Sequence, residues 1–146
     1  MNMSHVTITT EAGCSGNPGV GGYAAILRMG DYSKPVSGRN ENTTNNRMEL
    51  MAVISAVKAL KKPCVVTVRT KSQYVCNGIA HAKEREQNGW RTKTGARCAH
   101  TDLWQELSKL RVEGGHRFAF EHMSTPDNDC KEAEKLVKAQ IAGKEI

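Results

Sequence analysis

The stretch Cys64-Val-Val-Thr-Val-Arg-Thr70 limits the fold more than any other part of this chain. It is a near-continuous apolar run of strand length, and a strand of that kind needs cover on both faces. Such cover comes from helices in an α/β sheet, and the flanking segments supply them. Residues 46–60 place Met48, Met51, Ala52, Ile54, Ser55 and Leu60 at helical spacing, with Asn46-x-x-Glu49 as a capping box and Pro63 as the stop. Ser72-Gln-Tyr-Val-Cys-Asn-Gly-Ile-Ala-His-Ala82 reads as a second helix, weakened at Gly78.

Three strand segments precede these: Val6–Thr10, then 22–29 and 33–40, with turn-rich sequence over 11–22. Residues 83–100 are polar and basic around Trp90. A short amphipathic helix with a Thr101 or Asp102 cap follows over 101–111, then a strand over 116–123 and a last helix over 128–141. The order βββαβααβα predicts one α/β domain, residues 1–146, with a mixed five-stranded sheet flanked by helices.

A chain of 146 residues is long enough to bury a core without covalent staples. Five cysteines, none in a C-x-x-C pair, read as reduced thiols of a cytoplasmic protein and argue against a metal-thiolate site. No run nears the length needed to cross a membrane, and the N-terminal residues lack a secretory pattern. A net charge of +6 favours polyanionic partners.

Three stretches carry a resemblance. Gly13-Cys-Ser-Gly-Asn-Pro-Gly-Val-Gly-Gly-Tyr-Ala-Ala-Ile-Leu27 resembles the first hairpin of the type 1 ribonuclease H family. Thr43-Thr-Asn-Asn-Arg-Met-Glu-Leu-Met51 resembles that family's first helix, and Arg69-Thr-Lys-Ser-Gln-Tyr-Val75 its fourth strand and next helix. Asn88-Gly-Trp-Arg-Thr-Lys93 followed by Thr101-Asp-Leu-Trp-Gln105 is similar to its basic protrusion and the helix beyond. The match spans about residues 6–141 and implies the ribonuclease H-like fold.

That resemblance implies hydrolysis of the RNA strand of an RNA/DNA hybrid by four acids holding two divalent cations. Hard cations need oxygen ligands, and paired cations about 3.5–4 Å apart serve the attacking and leaving oxygens. Carried over, the acids fall on Glu11, where the family has Asp, on Glu49, on Lys71, where it has Asp, and on Glu132. Another register places the last acid at Glu134. The metal-ligand set is thus Glu11, Glu49 and Glu132. The family's loop histidine is either His122, displaced towards the strand, or absent. An ammonium cannot ligate a metal while protonated. Lys71 leaves the three glutamates with a net charge of about −2, enough to balance one divalent cation, and like-charge terms of about 4 kcal/mol disfavour a second.

The resemblance also implies a duplex-binding surface made of Cys14, Gly16, Asn17, Thr44, Asn45, Asn46 and Gln73. Lys83, Arg85, Arg91, Lys93 and Arg97 would hold the DNA strand, with Trp90 beside a deoxyribose. The plain alternative makes Asn46 a cap, Asn17-Pro18 a turn, and Trp90 a residue packed on a neighbouring helix.

Three readings stand at this point. One is a monomeric protein that recognises an RNA/DNA hybrid or A-form-like duplex, with hydrolysis lost or strongly reduced and at most one Mg²⁺ or Mn²⁺. Another is an altered metal-dependent endoribonuclease. A third is a protein-interaction module on the same fold.

Overall fold

The computed structural model describes residues 3–92 and 94–143. Its elements are β1 (Ser4–Gly16), β2 (Gly19–Met29), β3 (Tyr32–Thr43), α1 (Asn45–Lys58), β4 (Cys64–Thr70), α2 (Gln73–Gln87), α3 (Thr101–Gly114), β5 (Arg117–His122) and α4 (Asn128–Ile141). The five strands form one sheet in the order β3-β2-β1-β4-β5. β1, β2 and β3 form an antiparallel meander, while β4 lies parallel to β1 and β5 parallel to β4. The mixed sheet flanked by helices agrees with the sequence expectation.

Alternation along β2 divides the core. Ala24 and Ile26 face α4, against Ala133 and Val137. Ala25 and Leu27 point the other way, into the larger core under α1, α2 and α3. Period-two alternation lets one strand serve both layers. Val66 and Val68 of β4 are fully buried in the larger core. The five cysteines are all free, as expected. Among the described residues no helix is long and apolar enough to cross a membrane.

Several boundaries differ from the sequence reading. The glycine-rich stretch 11–22 is mostly strand: β1 and β2 pair from Thr7↔Arg28 to Gly16↔Gly19, leaving only Asn17-Pro18 at the tip. Side chains here are small because α4 crosses close by; a Cβ on Gly22 would sit 3.1 Å from the Val137 carbonyl oxygen. α1 begins one residue earlier than Asn46. Thr44 is its N-cap and accepts the Arg47 N–H at 3.4 Å, so the Asn46–Glu49 capping box does not form. The helix stops at Lys58, well before Pro63 and short of Leu60; of the predicted stripe it buries Met48, Ala52 and Ile54, and it also buries Leu50, Val53, Ala56 and Val57. α3 starts without a Thr or Asp cap. His100 occupies that position in the left-handed region, Thr101 donates to the Cys98 carbonyl, and Asp102 binds Arg47.

α2 runs to Gln87, five residues past the predicted end, so Lys83 and Arg85 are helical. Gly78 is part of the reason α2 packs here. A Cβ there would stand 2.3 Å from the Trp104 ring, whose indole N–H donates to the Tyr74 hydroxyl at 2.9 Å. Glycine lets α2 and α3 approach, at the cost of helix propensity. In an open helix Gly→Ala stabilises by about 1 kcal/mol. Here overpacking reverses the sign, and Gly78→Ala is expected to destabilise by about 1–3 kcal/mol. A urea midpoint above that of the unmodified protein would refute this packing role.

Candidate active site

Parallel pairing of β1 with β4 sets the site. The pairs Ile8↔Val68 and Thr9↔Arg69 lead directly to Glu11 and Lys71, one register step beyond Thr10 and Thr70. The Thr10 hydroxyl donates to the Arg69 carbonyl at 3.3 Å, holding the strand ends together. Lys71 Nζ lies 3.1 Å from Glu11 Oε2, with 40% of the lysine side chain and 11% of the glutamate side chain exposed. The same oxygen accepts the Cys130 thiol at 3.1 Å. Cys130 is fully buried in the first turn of α4, after the Asp127 cap.

Glu49, from the first turns of α1, completes the cluster and is 7% exposed. Burial, followed by the charge of Glu11, pushes its pKa up to about 7, and Lys71 only partly offsets this. The hydrogen bond to Glu11 raises the Lys71 pKa against the opposing effect of burial, so the ammonium stays charged. Burial and the same carboxylate raise the Cys130 thiol, which remains protonated.

The two registers for the last acid fall on different faces of α4. Glu132 lies about 200° around α4 from Cys130, is exposed, and raises the Arg28 pKa through its charge, after the larger effect of Asp129. Glu134 is one turn beyond Cys130 on the same side and half-buried, with Lys138 at 3.6 Å. The alternative register at Glu134 is therefore the one that shares the Cys130 face. His122 lies in β5, opposite Thr70, and its Nε2–H donates to the Lys71 carbonyl at 3.1 Å. It is a strand residue, not a loop residue.

These groups do not fit a pair of divalent cations. Lys71 and Cys130 occupy one oxygen of Glu11, burial raises the Glu49 pKa to about 7, and Glu132 is exposed on another face of α4. Among the described residues no three His, Cys, Asp or Glu side chains converge to hold a metal.

The expected binding residues gather around the N-terminus of α1. Gly16, at φ 116°, turns the hairpin tip so that Asn17 Oδ1 accepts the Asn45 N–H at 3.4 Å. Cys14 is half-buried and donates to the Thr43 carbonyl at 3.3 Å. Thr44 caps the helix, Asn46 is partly covered, and Asn45 is exposed. Gln73 is exposed at the start of α2, donating to Asn77 Oδ1 at 2.9 Å.

In the basic segment Arg91 and Arg97 face each other in a small bridge and are both exposed, while Arg85 is half-covered on α2. Lys93 lies outside the described residues. Trp90 does not present its ring. It is 7% exposed in the larger core, as the packed alternative expects, with φ at 63°.

Sequence reasoning missed three contacts. Arg47 forms a paired ion bridge to Asp102 at 3.0 and 2.6 Å, tying α1 to α3. Arg69 holds Asp127, the α4 cap. Cys130 meets Glu11 across more than a hundred residues of chain. No local spacing signals any of them.

A family model described as RNase H matches residues 3–142. The chain is 53% identical over 144 residues to a protein named Ribonuclease H from Bradyrhizobium diazoefficiens, covering 93% of this chain and 92% of that one. It is 41% identical over 143 residues to Ribonuclease H of Anaplasma marginale, covering 97% and 93%. Among solved structures it is similar to LC9-RNase H1, a type 1 RNase H with the type 2 active-site motif, at TM-score 0.82 and 22% identity, covering 99% of this chain and 75% of that one.

The position of Glu49 sets a pH dependence. A carboxyl with a higher pKa folded than unfolded favours the fold at low pH. This contribution is complete below the ordinary value of 4.5 and is lost as pH rises through about 7. The loss amounts to roughly 3 kcal/mol for a group this buried. Glu49→Gln should therefore be more stable than the unmodified protein at pH 8, and the gap should close near pH 5. Urea midpoints that shift in parallel at both pH values would contradict it.

Proposed function

The chain belongs to the RNase H family, and from that premise we propose that it recognises RNA/DNA hybrids while the two-metal hydrolysis of the RNA strand is lost or strongly reduced. One observation carries this reading: Lys71 Nζ stands 3.1 Å from Glu11 Oε2, at the strand-end position where resemblance to the family implies an aspartate. The ammonium supplies inside the cluster the positive charge that a cation would otherwise bring. At most one Mg²⁺ or Mn²⁺ then balances the remaining carboxylates, through Glu49 and the free oxygen of Glu11.

The duplex-facing groups keep their chemistry. Asn45 and Gln73 are exposed amides that both donate and accept, which suits 2′-hydroxyls and base edges in a wide minor groove. Arg91 and Arg97 supply exposed charge for a phosphate backbone. Three such cations, counting Arg85, correspond to a log–log salt slope of roughly −3. LC11-RNase H1, at TM-score 0.69 and 21% identity, was solved in complex with an RNA/DNA hybrid.

A labelled hybrid tests both halves of the proposal. We expect metal-independent binding that weakens with salt, and no cleavage above background in Mg²⁺ or Mn²⁺. Brisk cleavage by the unmodified protein would overturn the catalytic half, and binding without a salt slope would overturn the other. Calorimetry with Mg²⁺ should show no second well-occupied site. Glu11→Asp combined with Lys71→Asp should regain measurable cleavage, because it removes the internal cation and shortens the carboxylate together.

A further inference from the structure

A second cleft, of about 290 Å³, opens between the C-terminal half of α2, α3 and the start of β5. Three cations line it, Lys83, Arg111 and Arg117, and no carboxylate does. Arg28, Arg47 and Arg69, by contrast, each hold an aspartate. Among the described residues the side chains of Lys83, Arg111 and Arg117 have neither an ion pair nor a hydrogen bond within the chain. Three like charges around one opening repel each other, and a bound anion relieves that repulsion.

His116 also lines the cleft. His116 is buried, and its Nδ1 accepts the Cys64 N–H at 3.2 Å, which places the ring proton on Nε2. Its ring lies parallel to Phe118, with centroids 6.3 Å apart and planes 9° apart. Together with Ile79 and Leu107, Phe118 gives the cleft an apolar side beside its charged rim. The volume is near the lower end for small-molecule sites, about 300 Å³.

This place is remote from Lys71. Arg117 pairs with Val65 at the start of β4, whereas His122 pairs with Thr70 at its end. Five register steps separate them, about 17 Å along the strands.

We propose that this cleft binds a phosphomonoester that also carries a flat ring, that is, a nucleoside monophosphate, either free or as the 5′-terminal residue of a strand. Two guanidinium forks and an ammonium suit a dianion with three equivalent oxygens better than a carboxylate with two. The apolar side, which inorganic phosphate would leave wet, suits a base. The structure also gives Lys83 this setting instead of a place on the exposed basic loop. The proposal does not depend on whether hydrolysis survives at Glu11 and Lys71.

Calorimetry on the full chain should use adenosine 5′-monophosphate, adenosine, inorganic phosphate, and a trinucleotide with and without a 5′-phosphate. At least one phosphorylated nucleotide probe should bind at one site, at least tenfold more tightly than its unphosphorylated counterpart and than inorganic phosphate. Monophosphate binding assigns a free nucleotide, whereas binding of the 5′-phosphorylated trinucleotide alone assigns a strand end. Arg111→Gln with Arg117→Gln should weaken that binding at least tenfold and leave hybrid affinity unchanged. In the unmodified protein, NMR shifts should centre on His116 and Phe118. Absence of saturable binding at millimolar probe, indifference to the arginine pair, or shifts confined to the Glu11 and Lys71 region would each overturn the assignment.

Discussion

Parallel pairing of β1 with β4 is the constraint from which the other arrangements follow. A parallel pair needs a crossover, and α1 supplies it, which delivers Glu49 to the strand ends. The shared register sets Glu11 beside Lys71. The β4–β5 pairing then carries His122 to the Lys71 carbonyl, and the Met123 N–H reaches the Thr70 carbonyl at 2.7 Å. A slip of one residue would turn each of these side chains to the opposite face and expose Val66 and Val68. The buried apolar face of β4 therefore specifies the polar cluster at its end.

Electrostatics within that cluster depend on its single ammonium. Lys71 is part-exposed, so its ion pair adds only about 1 kcal/mol net. Its larger effect is on which neighbours carry charge. Glu11 has a fixed cationic partner and a thiol donor, whereas Glu49, more buried and facing another carboxylate, takes up a proton near neutral pH. The cluster is thereby satisfied from within the chain. An acidic site of the same shape with an aspartate at this position would need external cations to neutralise it.

α2 links two different surfaces. Its N-terminal turn, after the Ser72 cap, presents Gln73 near the acidic cluster. Its middle passes over Trp104, where Gly78 allows close approach, and its C-terminal half brings Lys83 to the cleft bordered by α3 and β5. Trp90 closes this region from within, its ring in the core and its backbone N–H on the Arg85 carbonyl at 2.7 Å. The exposed arginines of the loop beyond it thus rest on a packed base.

Much of this architecture was legible in the amino-acid order alone. The apolar run Cys64–Thr70, helical spacing on either side and three leading strands determined the α/β class, because burial periodicity is a local property of sequence. That position 71 holds a lysine was equally readable; the charge of the site was not, because burial raises the Glu49 pKa and Glu132 is exposed on another face of α4. Other features depend on distance in space. Whether Thr44 or Asn46 caps α1 was decided by how the hairpin tip docks on the helix. Which face of α4 Glu132 and Glu134 occupy followed from the rotation of the helix once Cys130 had packed on Glu11. Trp90 packs inward, into the core it shares with Leu103, Trp104 and Leu107. The three cations around His116 come from three separate elements. Only the assembled fold could bring them to one opening, because no spacing along a chain records which helix will lie across which strand.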